Sequence, residues 1–484
     1  MRDVIVIGGG PAGVTAALRA RELGASVILI ERDRMGGTCT NDGCVPTRVL
    51  AKAARLVRDA EQFDDYGLVG QKPVVDLPAL LARTQETVFR LHEKKQLLDH
   101  LRQAGVALAA SAGAARFLDE KTIMLENGHR LTAENFILCV GGHARRLGFP
   151  GSEYALTHSD VWSLARLPRS VAVVGAAATG CQLTSILAAF GARVTLLDLS
   201  PRILPAEDTA VSQTVHRAFE TRGISVVTGI SGIERIEKRS EGLRLVYGQD
   251  GRTQTLDVEQ VILAVGWVGN VDGLNLEAAS VQTERSYVVV DDTLRTSNPR
   301  IYAAGDVNGR MMLVQSASAE ARLAVENALL GQAQSFRHHV VPHGGFTDPE
   351  YGSVGLTETQ AQGNCAIATV PYSDLDRAVI DGRPEGFCKL IVDRESGKIV
   401  GAHVVGEQAV EVVQIVAAGI AAGMHVAEMA EVELAYPTFT AVVGLAARQL
   451  VRQLGFTPLA AEWRTLRRLQ VRTAEWENNS QINS

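Results

Sequence analysis

Cysteine is scarce in this sequence, with six residues in a chain of 484. A density this low excludes the disulfide framework that stabilises small secreted domains. Aromatic residues are also few, at 5% of the chain, whereas glycine is abundant, with 46 residues. This combination is typical of α/β proteins, in which many tight turns join strands to helices.

Positive charge is not in excess, because 48 lysine and arginine residues face 54 acidic residues and give a formal net charge of −6. Such a balance provides no field that would attract nucleic acid or an anionic membrane surface. The chain has no uncharged apolar run of about 18 residues, and it enters a strand at Val4 without a signal-peptide pattern. We therefore expect a cytoplasmic protein whose partner is a small molecule.

The length and the changing pattern along the chain indicate several domains. One hydrophobic core seldom supports so long a chain, and about 150 residues per domain predicts roughly three domains. From about residue 336 the pattern changes to strands at 386–393 and 399–406, followed by a helix-rich stretch over 409–454. We expect a third, α+β domain there and a polar C-terminal extension after it.

Two segments share one pattern: an apolar strand, a glycine-rich turn, an amphipathic helix, a second strand and a closing acidic residue. The marker residues are Gly8, Gly10, Gly13 and Glu31 in the first unit, and Gly175, Gly180 and Asp198 in the second. In such a unit the backbone N–H groups at the helix N-terminus bind a pyrophosphate, and the acid accepts hydrogen bonds from ribose hydroxyls. A single copy could be an ordinary tight turn. Two copies with the same spacing predict two dinucleotide sites.

Two cysteines, Cys39 and Cys44, are close together in the sequence, whereas the other four are isolated. Pro46 suits the first turn of a helix, which places Cys44 at or just before the helix N-terminus. The positive end of a helix lowers a thiol pKa and favours the thiolate. A redox-active pair is therefore predicted. The alternatives are two unrelated structural cysteines and a zinc site, for which we find no convincing second ligand pair.

Together these motifs resemble the class I pyridine nucleotide-disulfide oxidoreductases, the family of glutathione reductase, dihydrolipoamide dehydrogenase and mercuric reductase. The resemblance covers roughly residues 3–455 and also rests on the turn at 264–266 and the segment 296–306. It implies an α/β fold with two Rossmann-like dinucleotide-binding domains, a C-terminal α+β dimerisation domain and a homodimer. The expected divisions are an FAD-binding domain at 1–150 and 271–335, an NAD(P)-binding domain at 151–270, a dimerisation domain at 336–456 and an extension at 457–484.

The resemblance implies that the first unit binds FAD, with Glu31 on the adenosine ribose and Asp306 on the ribityl or phosphate side. The alternative for Asp306 is a helix cap after a strand. The resemblance also implies that Cys44 lies against the flavin and forms the charge-transfer thiolate, while Cys39 is the interchange thiol that attacks the substrate. Other positions that line the flavin in relatives carry Gly37, Thr38, Ala115, Gly141 and Val314.

The second unit is implied to bind the nicotinamide cofactor, together with Gly266 in the turn that follows. Ala177 replaces its middle glycine and leaves less room beside the pyrophosphate. Asp198 can accept from a free 2′-hydroxyl and would repel a 2′-phosphate, so NADH is favoured over NADPH. NADPH stays possible because Arg193 and Arg202 are near in the sequence.

The sequence departs from the family near the expected reaction centre. Disulfide-reducing relatives pair a lysine of the cysteine helix with a glutamate of the second unit, close to the reactive edge of the flavin. Those positions carry Arg48 and Gln182 here. We therefore expect the positive charge to be kept and its counter-charge to be removed.

A second departure concerns proton transfer. Tyr436 stands where relatives have the histidine that the partner subunit contributes as general acid/base, and no carboxylate follows it nearby. Because an unperturbed tyrosine has a pKa near 10, it is a poor base at neutral pH. An amphipathic interface residue is the alternative for Tyr436.

The predicted enzyme passes electrons from NADH or NADPH through FAD to the Cys39/Cys44 pair and then to a small-molecule acceptor. That acceptor is expected to be a small disulfide, a soft metal ion or a quinone-like oxidant. The chain ends without the terminal cysteine pair of mercuric reductases, so a dedicated enzyme of that kind is not expected. The alternatives are a diaphorase or transhydrogenase that uses the flavin directly, and a redox-sensing flavoprotein with slow turnover.

Overall fold

The computed structural model describes residues 2–361 and 363–456. The expected extension at 457–484 lies outside the described residues. The first part of the chain forms β1 (Arg2–Ile7), α1 (Pro11–Glu22), β2 (Val27–Ile30), α2 (Gly37–Asn41), α3 (Cys44–Asp59), α4 (Leu77–Lys95), α5 (Leu97–Gln103), β3 (Ala107–Ala109), β4 (Ala115–Asp119), β5 (Thr122–Leu125), β6 (Arg130–Leu138) and β7 (Gly142–Ala144).

The first glycine unit lies in a sheet with the strand order β3-β2-β1-β6-β5-β4. Strand β1 pairs in parallel with both β2 and β6. Its residues Val4 to Ile7 are buried, as expected for a central parallel strand that is covered on both faces. The glycine turn therefore follows a strand in the centre of the sheet, between β1 and α1.

The second unit has the same construction in a separate sheet. Its elements are α6 (His158–Val161), β8 (Ser170–Val174), α7 (Ala178–Ala189), β9 (Arg193–Asp198), α8 (Thr209–Thr221), β10 (Ser225–Thr228), β11 (Gly232–Lys238), β12 (Leu243–Gln249), β13 (Arg252–Val258), β14 (Gln260–Leu263) and β15 (Trp267–Gly269). Strands β10-β9-β8-β14 form a parallel sheet, and β11-β12-β13 form an antiparallel one.

The chain then returns to the first sheet. The returning elements are β16 (Thr283–Glu284), β17 (Tyr287–Val288), β18 (Ile301–Ala303) and α9 (Val314–Leu330). Strand β18 pairs in parallel with β6, and β15 pairs with β7. The second dinucleotide unit is therefore an insertion between two parts of the first sheet.

The C-terminal part is an antiparallel sheet covered by helices. It contains β19 (His343–Gly345), β20 (Tyr351–Gly355), β21 (Cys365–Pro371), α10 (Asp376–Ile380), β22 (Phe387–Asp393), β23 (Ile399–Val405), α11 (Ala409–Ala421), α12 (Val426–Glu431) and α13 (Ala441–Leu454). The strand order is β19-β20-β23-β22-β21. Apolar residues of the sheet and of α11 to α13 share one core. The expected fold class, two Rossmann-like units followed by an α+β domain, is confirmed.

Single-turn 3₁₀ helices complete the described elements, at Ala60–Gln62, Asp64–Tyr66, Ser152–Tyr154, Leu276–Ala279, Asp306–Asn308 and Tyr372–Asp374. Within the described ranges, no helix has the length and apolar character needed to cross a bilayer.

Buried charged pairs join α3 and the second unit to the C-terminal sheet. Arg58 of α3 contacts both Asp348 and Glu407, and its side chain is only 9% exposed. Lys389 of β22 lies 2.7 Å from Asp208, which caps α8. Because removing one partner of a buried ion pair leaves an uncompensated charge, substitution of either residue of such a pair should be destabilising.

The two glycine turns have nearly the same backbone geometry. Gly13 lies in the first turn of α1 and Gly180 in that of α7. A Cβ at either position would lie 1.7 Å from the carbonyl oxygen of Gly8 or Gly175, respectively. Only glycine therefore allows each helix to pack this closely against the end of its strand.

We predict that Gly180→Ala destabilises the protein by about 1–3 kcal/mol, because the backbone must move to admit the methyl group. Gly148→Ala is the matched control, since a Cβ there meets no atom within 4 Å. The measurement is the urea midpoint of unfolding, followed by circular dichroism. Equal midpoints for the two variants would contradict the close approach at Gly180.

Candidate functional site

The Cys39 and Cys44 thiols meet where α2 joins α3. Cys39 lies within the single turn of α2, and Cys44 is the first residue of α3. Both are free thiols, and they are hydrogen-bonded to each other. The prediction that the two cysteines pair at a helix N-terminus is confirmed.

The two thiols have opposite pKa shifts. The hydrogen bond from Cys39 lowers the pKa of Cys44 to about 7, against the opposing effect of burial. The same bond, together with burial, raises the pKa of Cys39, although the nearby Lys95 ammonium acts in the opposite direction. Cys44 is therefore the first of the pair to become a thiolate.

Asp306 lies near both thiols, at the end of β18. Its negative charge raises the pKa of Cys39 and of Cys44, while burial, and then Glu320, raises the pKa of Asp306 itself. The N-cap position of the 3₁₀ helix is occupied by Gly305, so the alternative of Asp306 as a helix cap is not supported.

Glu320 is a functional candidate that the sequence analysis missed. Its fully buried carboxylate accepts hydrogen bonds from the Gly305 N–H and from Asn308 Nδ2, both at 2.8 Å, and lies 2.9 Å from His338 Nε2. It fixes the turn that carries Asp306. The sequence shows Glu320 only as one acid in a helix, with no spacing that connects it to this turn.

The first glycine turn has a backbone geometry that suits a pyrophosphate site. Gly8 has a φ of +106°, and a Cβ there would lie 2.2 Å from the Cys139 carbonyl oxygen. A Cβ on Gly37 would lie 2.8 Å from the Cα of Gly10. Gly10 is the N-cap of α1 and provides no side-chain cap, so the first N–H groups of α1 are available to an anion.

The acid of the first unit lies directly beside this turn. Glu31 accepts from the Gly9 N–H at 2.7 Å and from the Asp33 N–H at 2.8 Å. Its carboxylate is thereby held at the edge of the glycine turn. These residues fit the adenosine and pyrophosphate end of a dinucleotide such as FAD.

The other expected flavin-lining residues occupy different surroundings. Gly37 and Thr38 belong to α2 with Cys39, and the Thr38 hydroxyl donates to the Gly142 carbonyl at 3.5 Å. The Gly141 carbonyl accepts from the Asn270 N–H at 3.0 Å. Ala115 is buried in β4, and Val314, 36% exposed, begins α9.

The second glycine turn reproduces the first. Gly175 has a φ of +103°, and its Cβ would lie 2.3 Å from the Ala264 carbonyl oxygen. Asp198 accepts from the Ala176 N–H and, at 2.6 Å, from the Ser200 N–H. Ala177 has φ −78° and ψ −173°, close to the −75° and −174° of Gly10. The alanine therefore adopts the turn without backbone strain.

Gly266 follows the strand next to β8, with a φ of +102° and open space where a Cβ would stand. It follows Ala264 by two residues, and the Ala264 carbonyl oxygen is the atom that a Cβ on Gly175 would meet. The left-handed conformation explains why the sequence has glycine at this position.

Arg48 has a counter-charge, and our expectation that it had been lost is wrong. Arg48 Nη1 lies 3.1 Å from Glu350 Oε1, and its guanidinium carbon lies 4.1 Å from the centroid of the Phe346 ring. Gln182 accepts from the Phe346 N–H at 3.2 Å. The carboxylate comes from a residue 302 positions away in the chain, so no local sequence signal could reveal it.

Tyr436 also has a carboxylate partner that the sequence analysis missed. Its side chain is 77% exposed, and its hydroxyl donates to Asp376 Oδ2 at 2.6 Å. This bond raises the pKa of Tyr436 above its ordinary value. At neutral pH the Tyr436 hydroxyl is therefore even less ionised than that of an isolated tyrosine, and less able to accept a proton.

Comparison with known proteins gives a consistent set of relatives. A family model described as pyridine nucleotide-disulphide oxidoreductase matches residues 2–321, and one described as the dimerisation domain of that family matches residues 341–447. The dihydrolipoyl dehydrogenase of Zymomonas mobilis is 33% identical over 422 residues, which cover 85% of this chain and 90% of the relative. The mercuric reductase of Lysinibacillus sphaericus is 32% identical over 451 residues, with 92% and 82% covered. The crystal structure of LpdA from Mycobacterium tuberculosis has a TM-score of 0.83 at 26% identity and covers 93% and 99% of the two chains.

We predict that Cys39→Ala raises the pKa of Cys44 above about 7, because the thiol loses the hydrogen bond that stabilises its thiolate. At pH 7 the thiolate fraction of Cys44 should fall below the half that a pKa of about 7 gives in the unaltered, reduced protein. The measurement is the pH dependence of Cys44 alkylation, read by mass spectrometry, with Cys365→Ala as the control. An unchanged or lower pKa would contradict the assigned roles of the two sulfurs.

Proposed function

This chain belongs to the pyridine nucleotide-disulphide oxidoreductase family, and we propose that it passes electrons from NADH through FAD to the Cys39/Cys44 pair and then to a small acceptor. Enzymes of this family use FAD and NADH or NADPH, and the dimerisation domain implies a homodimer. The observation that carries the finer proposal is the hydrogen-bonded thiol pair at the start of α3, in which the pKa of Cys44 is about 7.

When bound, FAD would take a hydride from the nicotinamide and supply two electrons to the disulfide form of the pair. Its pyrophosphate would lie on the N–H groups at the start of α1, between Gly10 and Gly13, with Glu31 on the ribose. For the rest of the flavin we propose Gly37, Thr38, Ala115, Gly141, Asp306 and Val314. For the nicotinamide cofactor we propose Gly175, Gly180, Asp198 and Gly266, with Arg48 and Gln182 towards the reacting ring.

The reduced pair can transfer two electrons by thiol–disulfide exchange. Once its proton has passed along the hydrogen bond to Cys44, the Cys39 sulfur would attack one sulfur of a disulfide substrate, form a mixed disulfide and release the first thiolate. Cys44 would then attack the Cys39 sulfur, close the Cys39–Cys44 disulfide and release the second thiolate. The two released thiolates take up two protons; the thiol of the reduced pair supplies one, so one further proton must reach the site in every turnover.

The surroundings of Asp198 support NADH as the donor. Arg202 already donates to the carbonyl groups of Leu204, Pro205 and Glu207. Arg193 is at the opposite end of β9 from Asp198, about 16 Å away at the usual rise of a strand. A 2′-phosphate would therefore meet the Asp198 carboxylate with neither arginine placed to balance it.

Tyr436 supports an acceptor that needs no thiol protonation. Because its hydroxyl is hydrogen-bonded to Asp376 and its pKa is raised, it cannot replace a histidine as the base at neutral pH. The relatives include dihydrolipoyl dehydrogenases and mercuric reductases. Of the acceptors these names suggest, we favour a soft metal ion or a quinone-like oxidant over lipoamide.

We also propose the division into an FAD-binding domain at 1–150 and 271–335, a nicotinamide domain at 151–270 and a dimerisation domain at 336–456. The insertion of one parallel sheet between two parts of another supports this division. The boundaries themselves stay predictions.

We predict that NADH reduces the flavin faster than NADPH and that Asp198→Ala narrows the difference. The alanine removes both the acceptor for the 2′-hydroxyl and the charge that repels a 2′-phosphate. The measurement is anaerobic stopped-flow reduction with each nucleotide, and Glu234→Ala serves as a control on an acid of the same domain. Faster reduction by NADPH in the unaltered protein would refute the proposed role of Asp198.

We predict weak reduction of lipoamide and oxidised glutathione beside faster reduction of a soft metal ion or a quinone. A placed acid/base contributes about 10²–10⁴ in rate, and that contribution should be largely absent for the two disulfides. Tyr436→Phe should change the faster reaction only modestly, whereas Cys44→Ser should abolish every reaction that passes through the thiols. A kcat/KM of about 10⁴–10⁸ M⁻¹s⁻¹ for lipoamide or glutathione disulfide would contradict the prediction.

A further inference from the structure

Arg48 lies where three parts of the chain meet. It is one helical turn after Cys44 on α3, and residues with this spacing share a helix face about 5–6 Å apart. Phe346, which the guanidinium covers, precedes β20 in the C-terminal sheet. Gln182, which accepts from the Phe346 N–H, lies one turn into α7 in the second dinucleotide unit.

The only charge that touches Arg48 within the described part of the chain is Glu350. Phe346 contributes a neutral ring, and Gln182 contributes a neutral amide whose Nε2 donates to the Ala178 carbonyl. The Glu350 side chain is only 14% exposed, while that of Arg48 is 49% exposed. The Glu350 carboxylate is therefore largely buried, whereas about half of the Arg48 side chain is exposed to solvent.

We propose that Glu350 is a positioning residue that supplies the counter-charge of Arg48 and thereby sets the midpoint potential of the bound flavin. The inference rests on the proposed function, in which the electron donor of Cys44 must reach the start of α3. A flavin that can reduce Cys44 lies within about one helical turn of Arg48. An uncompensated cation at that distance would favour the more negative, reduced state of the flavin.

The charged groups that face Glu350 come from α3 and from the loop after β23. Arg48 and Arg55 of α3 lower its pKa, whereas burial, the largest effect, and then Glu407 raise it. Arg55 is itself in contact with Glu407, so Arg48 is the main partner of Glu350. The net result is a pKa above the ordinary value for glutamate, which makes this counter-charge sensitive to pH.

The test is the midpoint potential of the bound flavin, measured by anaerobic titration with a reference dye. Glu350→Gln should raise the potential, because Arg48 then has no counter-charge. We expect about a tenfold increase in the ratio of reduced to oxidised flavin at a fixed ambient potential, which is about 30 mV for a two-electron couple. The conservative Glu350→Asp should shift the potential less.

A relocation experiment gives the sharper result. Gln182→Glu, placed in the Glu350→Gln background, puts a carboxylate beside the Phe346 N–H and should lower the potential again. Glu358→Gln is the matched control, because Glu358 belongs to the same C-terminal part but pairs with Lys389. An unchanged potential in Glu350→Gln, or a double variant that does not return towards the original value, would overturn the inference.

The pH dependence of the flavin potential in the unaltered protein provides a second measurement. As the pH falls and Glu350 becomes neutral, the potential should rise more steeply than the protons of the flavin alone require. This extra rise should be missing in Glu350→Gln. A protein that binds no flavin would refute the proposed function, and the inference with it. A bound flavin whose potential ignores Glu350 would refute the inference alone.

Discussion

A dithiol that transfers two electrons must keep one sulfur as a thiolate and the other as a thiol. The hydrogen bond between Cys39 and Cys44 provides this asymmetry, since one interaction lowers the pKa of Cys44 and raises that of Cys39. It requires the single turn of α2 to end close to the start of α3. Asn41, the last residue of α2, helps to hold this turn in place. It donates to the Met35 carbonyl at 3.0 Å and accepts at 2.7 Å from His92 of α4. The chemistry of the pair is therefore set by how α2 is held.

In both dinucleotide units the helix packs closely against the end of the preceding strand, and both meet this steric constraint in the same way. In each, a glycine with positive φ ends a strand and a second glycine lets the helix pack against that strand end. The acid of the next strand is then bound by a backbone N–H of the turn, as with Glu31 and Asp198. Because the solution is steric and local, it is visible in the sequence. Ala177 shows its limit, since the backbone at the middle position has ordinary angles that admit a side chain.

The features that the sequence predicted depend on residues close together in the chain, whereas those that it missed join distant residues. The glycine turns, the strands that precede them and the helix that begins at Cys44 depend on neighbours in the chain, and they were predicted. The pairs Arg48–Glu350 and Tyr436–Asp376 join residues 302 and 60 positions apart. No periodicity or spacing connects such partners, so only the packed structure could identify them. The expectation for Arg48 was wrong because its counter-charge comes from Glu350 in the C-terminal part, not from the position on α7 at which relatives have a glutamate.

Helix α3 is held by side-chain contacts near both of its ends. At its N-terminus Cys44 is held by Cys39, and towards its C-terminus the buried Arg58 contacts both Asp348 and Glu407. Moving the C-terminal sheet away from α3 would break both contacts of Arg58. The loop that carries Asp348 also carries Glu350, the partner of Arg48. The thiol pair, the cation one turn below it and the C-terminal sheet are therefore held in one arrangement by contacts along α3, and the Lys389–Asp208 pair joins the second dinucleotide unit to the same sheet.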